Sequence, residues 1–135
     1  MRVGAAMLVK CIESFRQQTI EGEIYLVLEI YGAFEAREAN YRIIDSDGYP
    51  AIYPAANFSI VSSRLDGLNF FRKGSKAVIS HSLIQKSILN EEHTEGFWGL
   101  FFDEDNEMTR EILQEVVVDL ARAENIDPPI IRLDD

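Results

Sequence analysis

Residues 23–32, EIYLVLEIYG, set Ile24, Leu26, Leu28 and Ile30 in alternation with Tyr25, Val27, Glu29 and Tyr31. A period of two fits a β-strand and not a helix, and it predicts a strand with one buried face. A strand needs neighbours, and the flanking sequence supplies them in short pieces. LVKCI (residues 8–12) precedes it across a polar connection through Gln17, Gln18 and Thr19. AFEAREAN (33–40) lacks alternation and reads as a loop or helical turn, after which YRIID (41–45) resumes strand chemistry. Ser46-Asp47-Gly48 marks a hairpin turn in which Gly48 is free to take a positive φ. YPAIYP (49–54) then returns as a short strand whose Pro50 and Pro54 suit an edge. FSIV (58–61) completes five short strands in about sixty residues. This succession predicts a small curled antiparallel barrel, because closure removes exposed strand edges.

The second half changes character. LNFF (68–71) reads as a strand and RKGSK (72–76) as a turn. AVISHSLIQKSIL (77–89) fits a helix from Ser80 or a strand followed by a helix, and the helix is the reading taken. Thr94 can cap a short helix bearing Phe97, Trp98, Leu100 and Phe101, an aromatic cluster expected in the core with Trp98 against the helix that follows. Asp103-Glu104-Asp105-Asn106 interrupts it. From Glu107 to Glu124, Met108, Ile112, Val116 and Leu120 recur every four residues beside Leu113, Val117 and Ala121, which predicts a long amphipathic helix. It should end near Asn125, and Pro128-Pro129 forbids continuation. At 135 residues, 47% of them hydrophobic, the chain is long enough for one compact domain with its own core. Residues 8–61 would form its β part and 62–135 a mainly helical, acidic part.

Charge is distributed unevenly. Residues 1–63 carry 5 basic and 8 acidic side chains, residues 64–102 carry 5 and 4, and residues 103–135 carry 3 and 11, giving nets of −3, +1 and −8. A region this negative repels nucleic acid and anionic lipid and attracts a basic protein surface. Glu107, Glu111 and Glu115 recur on the face expected to lie opposite Met108, and Asp103, Glu104 and Asp105 extend the stripe past the helix start. Like charges at this spacing cost about 0.2–0.5 kcal/mol per pair. A partner rich in Lys and Arg would turn that cost into a gain, so these six residues are the candidate partner-binding site.

Catalysis and metal binding find little support. The single cysteine, Cys11, sits in an apolar run that suits a buried thiol in a reducing compartment, and Lys10 and Glu13 interrupt the N-terminal stretch before it could serve as a signal core or membrane span. The expectation is a cytoplasmic protein without a cofactor. His81 and His93 are the only histidines, and their spacing matches no catalytic motif; His81, between Ser80 and Ser82, reads as a structural histidine. Asp45-Ser46-Asp47-Gly48 resembles the middle of a calcium loop, but Ile43 and Pro54 stand where further ligands are needed. Asp103, Asp105 and Glu107 are better explained by the preference of a helix start for carboxylates.

Two resemblances add to this reading. VKCI, EGEIYLVLE, YRIIDSDG, IYP and FSIV, within residues 8–61, resemble the SH3-like barrels of short bacterial and phage proteins. The fold so implied is α+β, an SH3-like antiparallel barrel followed by two or three helices, the last long and amphipathic. That architecture serves nucleic acids, peptides and scaffolding alike. EGFWGLFFDEDNEMTREILQEVVVDLARAENI (95–126) resembles the acidic helical tails of small bacterial immunity proteins. This implies a non-enzymatic protein that neutralises a toxin by occluding its active site, the toxin being basic if it is a nuclease. Two alternatives share parts of the pattern: a phage-encoded nucleic-acid mimic directed at a host defence protein, and a peptide-binding module in which Tyr25, Tyr41 or Tyr53 would matter.

Overall fold

A computed structural model of the protein describes residues 7–33, 39–63, 68–73, 76–85, 96–103 and 107–132. The architecture is α+β. Seven antiparallel strands, β1 (Met7–Cys11), β2 (Ile24–Ala33), β3 (Asn40–Ile44), β4 (Pro50–Pro54), β5 (Phe58–Ser63), β6 (Asn69–Lys73) and β7 (Lys76–Ser80), form one sheet, with a 3-10 turn at Ala55–Asn57 between β4 and β5. Among the described residues three helices follow, α1 (Ser82–Gln85), α2 (Gly96–Asp103) and α3 (Glu107–Ala123). Residues 62–135 therefore contribute two strands as well as helices. The stretch from Ala77 takes the strand-then-helix alternative, because Lys76–Ile79 find a ladder on the far half of β2. The five expected strands are present, yet the sheet is open where a closed barrel was predicted: its main path runs β4-β3-β2-β1-β5. Pro50 and Pro54 at the two ends of β4 remove two of the donors a closing ladder would use.

The ten-residue β2 organises the sheet. Its first half pairs with β1, its second half with β7, and β3 runs along the opposite edge. Both of its faces are buried through Glu29, so the expectation of one buried face is corrected. Leu26 and Leu28 meet the helices, whereas Tyr25 and Val27 join Val9, Tyr41, Ile43, Tyr53 and Phe58 inside the curl of the sheet. The register with β3 shifts between Val27 and Glu29. This bulge inserts Leu28 as an extra residue and reverses the alternation beyond it. Ile30 now packs toward the Tyr25–Val27 side, and Glu29 joins Leu28 on the helix side.

Chain-local chemistry closes the turns. Asp45 Oδ1 accepts the backbone N–H of Asp47 at 2.9 Å and of Tyr49 at 3.1 Å, and Gly48 has φ +85°. Helix α3 ends in a left-handed residue at Asn125, with Ile126 N–H bonded to Ala121 O and Asn125 N–H to Arg122 O. The chain then doubles back: Ile131 enters the helix-side core and Arg132 N–H bonds Gly48 O at 2.8 Å. AFEAREAN from Phe34 to Glu38, and Thr94 with its proposed cap, lie outside the described residues. Among the described residues no helix is long and apolar enough to cross a membrane.

Candidate functional site

Helix α3 is locked by one side. Leu113, Val116, Val117, Leu120 and Ala121 are fully buried against the sheet, and Thr109 is buried with them. At 100° per residue their mean direction lies opposite Glu107, Glu111 and Glu115, and all three glutamates are exposed. Successive carboxylates stand about 6 Å apart along the axis. Met108 departs from the expected buried row: it is 59% exposed and borders the glutamates. The four-residue row starting at Met108 drifts about 40° per step, so only its later members, Val116 and Leu120, reach the core. Asp103 is the last residue of α2; Glu104 and Asp105 lie outside the described residues. Of the six candidates, the structure thus brings three together on one exposed helical face.

A second cluster, absent from the sequence-based candidates, lies at the seam of sheet and helices. Glu29 is completely buried. Its Oε1 accepts the Trp98 indole N–H at 2.7 Å and the Tyr31 hydroxyl, and lies 3.4 Å from Arg42 Nε. Its Oε2 accepts Ser80 Oγ–H at 2.5 Å and the Gln85 side-chain amide at 3.2 Å. Arg42 also donates to the Tyr31 hydroxyl oxygen at 2.8 Å and to the carbonyl of Pro50 at 2.7 Å. Its guanidinium lies 4.1 Å from the Trp98 ring centroid and 5.9 Å from that of Phe102. Trp98 therefore uses its polar edge on the sheet, beyond the contact with the long helix that was expected. Burial pushes the Tyr31 hydroxyl pKa far up, and the adjacent Glu29 carboxylate adds to the rise, so the phenol stays a donor. Each carboxylate oxygen is multiply satisfied, so the cluster ties β2, β3, β7, α1 and α2 together and leaves Glu29 little capacity for a ligand. The signal that could have exposed it was Glu29 itself, a carboxylate between Leu28 and Ile30 in a buried strand.

Other polar groups are also engaged. His81 is buried, with Nε2 2.9 Å from Asp119 Oδ2 and Nδ1 accepting the Leu83 backbone N–H at 3.1 Å. Asp45 Oδ2 accepts the Tyr53 hydroxyl at 2.7 Å; burial first, then this carboxylate, raises the Tyr53 pKa. Tyr25, Tyr41 and Tyr53, the residues a peptide-binding module would use, are all buried in the curl. His93 lies outside the described residues. No protein-family model matches the chain, and no curated protein or solved structure is significantly similar to it.

Proposed function

We propose that this protein is an acidic inhibitor of the cytoplasm, an immunity protein that neutralises a basic toxin domain by covering its active site. The observation carrying this reading is the exposed row of Glu107, Glu111 and Glu115 on a helix whose opposite side is immobilised in the core. A helix held on its other side presents the carboxylates from a fixed backbone, so ordering entropy is confined to their side chains, and a groove built for phosphates is the natural acceptor. In this reading residues 8–61 are an SH3-like unit that serves as the platform for α3. The acidic surface also suits a phage-encoded mimic of nucleic acid; a toxin gene beside this one favours immunity, and phage structural genes favour mimicry. The peptide-module alternative is weakened by the burial of its tyrosines.

The test is the affinity of the protein for the product of the gene adjacent to its own, measured across a salt series. Glu107→Lys/Glu111→Lys/Glu115→Lys should weaken binding by at least about tenfold at low salt and flatten the salt dependence. Unchanged affinity and slope would remove α3 as the site.

A further inference from the structure

We propose that Phe102 and Ile52 flank an apolar anchor site that takes a hydrophobic side chain from a basic partner segment, whose cations then face the α3 glutamates. This rests on the acidic-face reading above. Among the large apolar side chains of α2, Phe97, Leu100 and Phe101 are buried, whereas Phe102 is 50% exposed. Its ring is nonetheless held: centroids lie 5.0 Å from Phe101 and 6.0 Å from Trp98, and Trp98 is itself fixed by its bond to buried Glu29. Ile52 is 48% exposed and pairs directly with Arg42 across β3 and β4. Directly opposed residues of antiparallel strands share a face, so Ile52 stands on the same side of the sheet as the Arg42 guanidinium and Phe102. Helix α2 ends at Asp103, directly after Phe102, and both half-exposed apolar residues neighbour Arg42: Phe102 through its ring, 5.9 Å from the guanidinium, and Ile52 through the β3–β4 pairing. Pro50 and Pro54 impair strand addition along β4, so a partner must engage side chains here.

Charge selects the occupant. From Asp103 to Glu115 the chain carries six carboxylates against one base, Arg110. Asp103 follows Phe102 directly, and chain length alone keeps the Glu107 Cα within about 18 Å of that of Phe102, so the glutamates act on a partner that reaches them directly and, at a distance, only at low salt. A second copy of this chain, net −10, is repelled at such a surface, and a neutral segment gains nothing from it. A basic segment with an aliphatic or aromatic anchor satisfies both halves, and a rigid aromatic wall is the usual setting of a binding hot spot.

Trp98 is the only tryptophan, so its emission reports on this site. The probe is a synthetic amphipathic lysine–leucine peptide, compared with oligolysine and with a glutamate–leucine analogue, and followed by Trp98 fluorescence and calorimetry. The lysine–leucine peptide should bind saturably and shift Trp98 emission. Phe102→Ser and Ile52→Ser should each weaken it by at least about tenfold. Ile60→Ser, a change at an exposed residue of β5, should leave it unaltered. Equal binding of oligolysine, or binding insensitive to both Phe102→Ser and Ile52→Ser, overturns the anchor and leaves the acidic-face reading standing. Lysine–leucine binding that survives reversal of Glu107, Glu111 and Glu115 overturns the charge half, as does equal binding of the glutamate–leucine peptide. No Trp98 response to any peptide overturns the anchor outright.

Discussion

The two faces of the sheet are closed by different chemistry. Inside the curl, Val9, Val27, Ile43, Tyr41 and Phe58 form an apolar cluster, and Tyr53 carries its hydroxyl to buried Asp45. On the helix side, Leu26, Leu28, Phe97, Leu113 and Leu120 share the layer with the buried Glu29–Arg42 cluster. Apolar packing tolerates rearrangement, because any filling of the right volume gains nearly the same energy. A carboxylate that must find donors from five elements does not. The first face supplies general stability, and the second fixes which helix lies where.

The largest expected effect follows from that difference. Glu29→Ala strands the Arg42 charge and several donors in the interior and should cost about 3–5 kcal/mol in urea unfolding. Adding Arg42→Met should recover at least about 1 kcal/mol of it, the coupling expected of a buried pair. A Glu29→Ala loss below about 1 kcal/mol would erase the distinction between the faces. Ile43→Ala, in the curl, should cost about 2–4 kcal/mol from lost burial and cavity formation, with no polar partner able to rescue it.

Gly48→Ala comes next. The left-handed φ is one penalty, and an added Cβ would sit 3.0 Å from Arg132 N and 3.1 Å from the Ile130 carbonyl oxygen. A loss of about 1–3 kcal/mol is expected, with earlier proteolysis of the C-terminal segment that carries Ile131 into the core.

Alkaline titration separates the faces by a smaller margin. The Tyr31 and Tyr53 hydroxyls, one on each face, have raised pKa values in the folded protein, above the ordinary value of 10.0. The folded state then holds protons the unfolded chain releases, so stability present below pH 10 falls as pH rises beyond it. Tyr31→Phe and Tyr53→Phe should each reduce that fall in thermal melts above pH 10. A pH profile unchanged by both would refute the assignment.

The smallest effect tests the orientation of α3. Met108→Lys should change stability by less than about 0.5 kcal/mol, because the side chain is mostly in water. Leu113→Lys, five residues on and fully buried, should prevent folding, read by circular dichroism.

Much of the fold was legible because it is local. The strand over residues 24–31, the Asp45–Gly48 turn and the end of α3 at Asn125 each depend on a few adjacent residues whose conformational preferences agree. Met108 was misplaced for a reason equally local: a four-residue repeat falls short of a full helical repeat, and the sequence does not say where along the row the core begins. Of the candidate site, the exposure of Glu107, Glu111 and Glu115 followed from amphipathicity, whereas the setting of Phe102 beside Arg42 did not.

The amino-acid sequence by itself determined the first five strands, the long helix and the concentration of negative charge after residue 102, since each is written in neighbouring residues. Only the tertiary structure decided that the sheet stays open, that a bulge at Leu28 turns Glu29 toward the helices, and that Trp98 and Arg42 meet there. Those outcomes depend on registers between segments up to 69 residues apart, as Glu29 and Trp98 are. A pairing register is set by the simultaneous packing of both faces, which no single stretch of sequence contains.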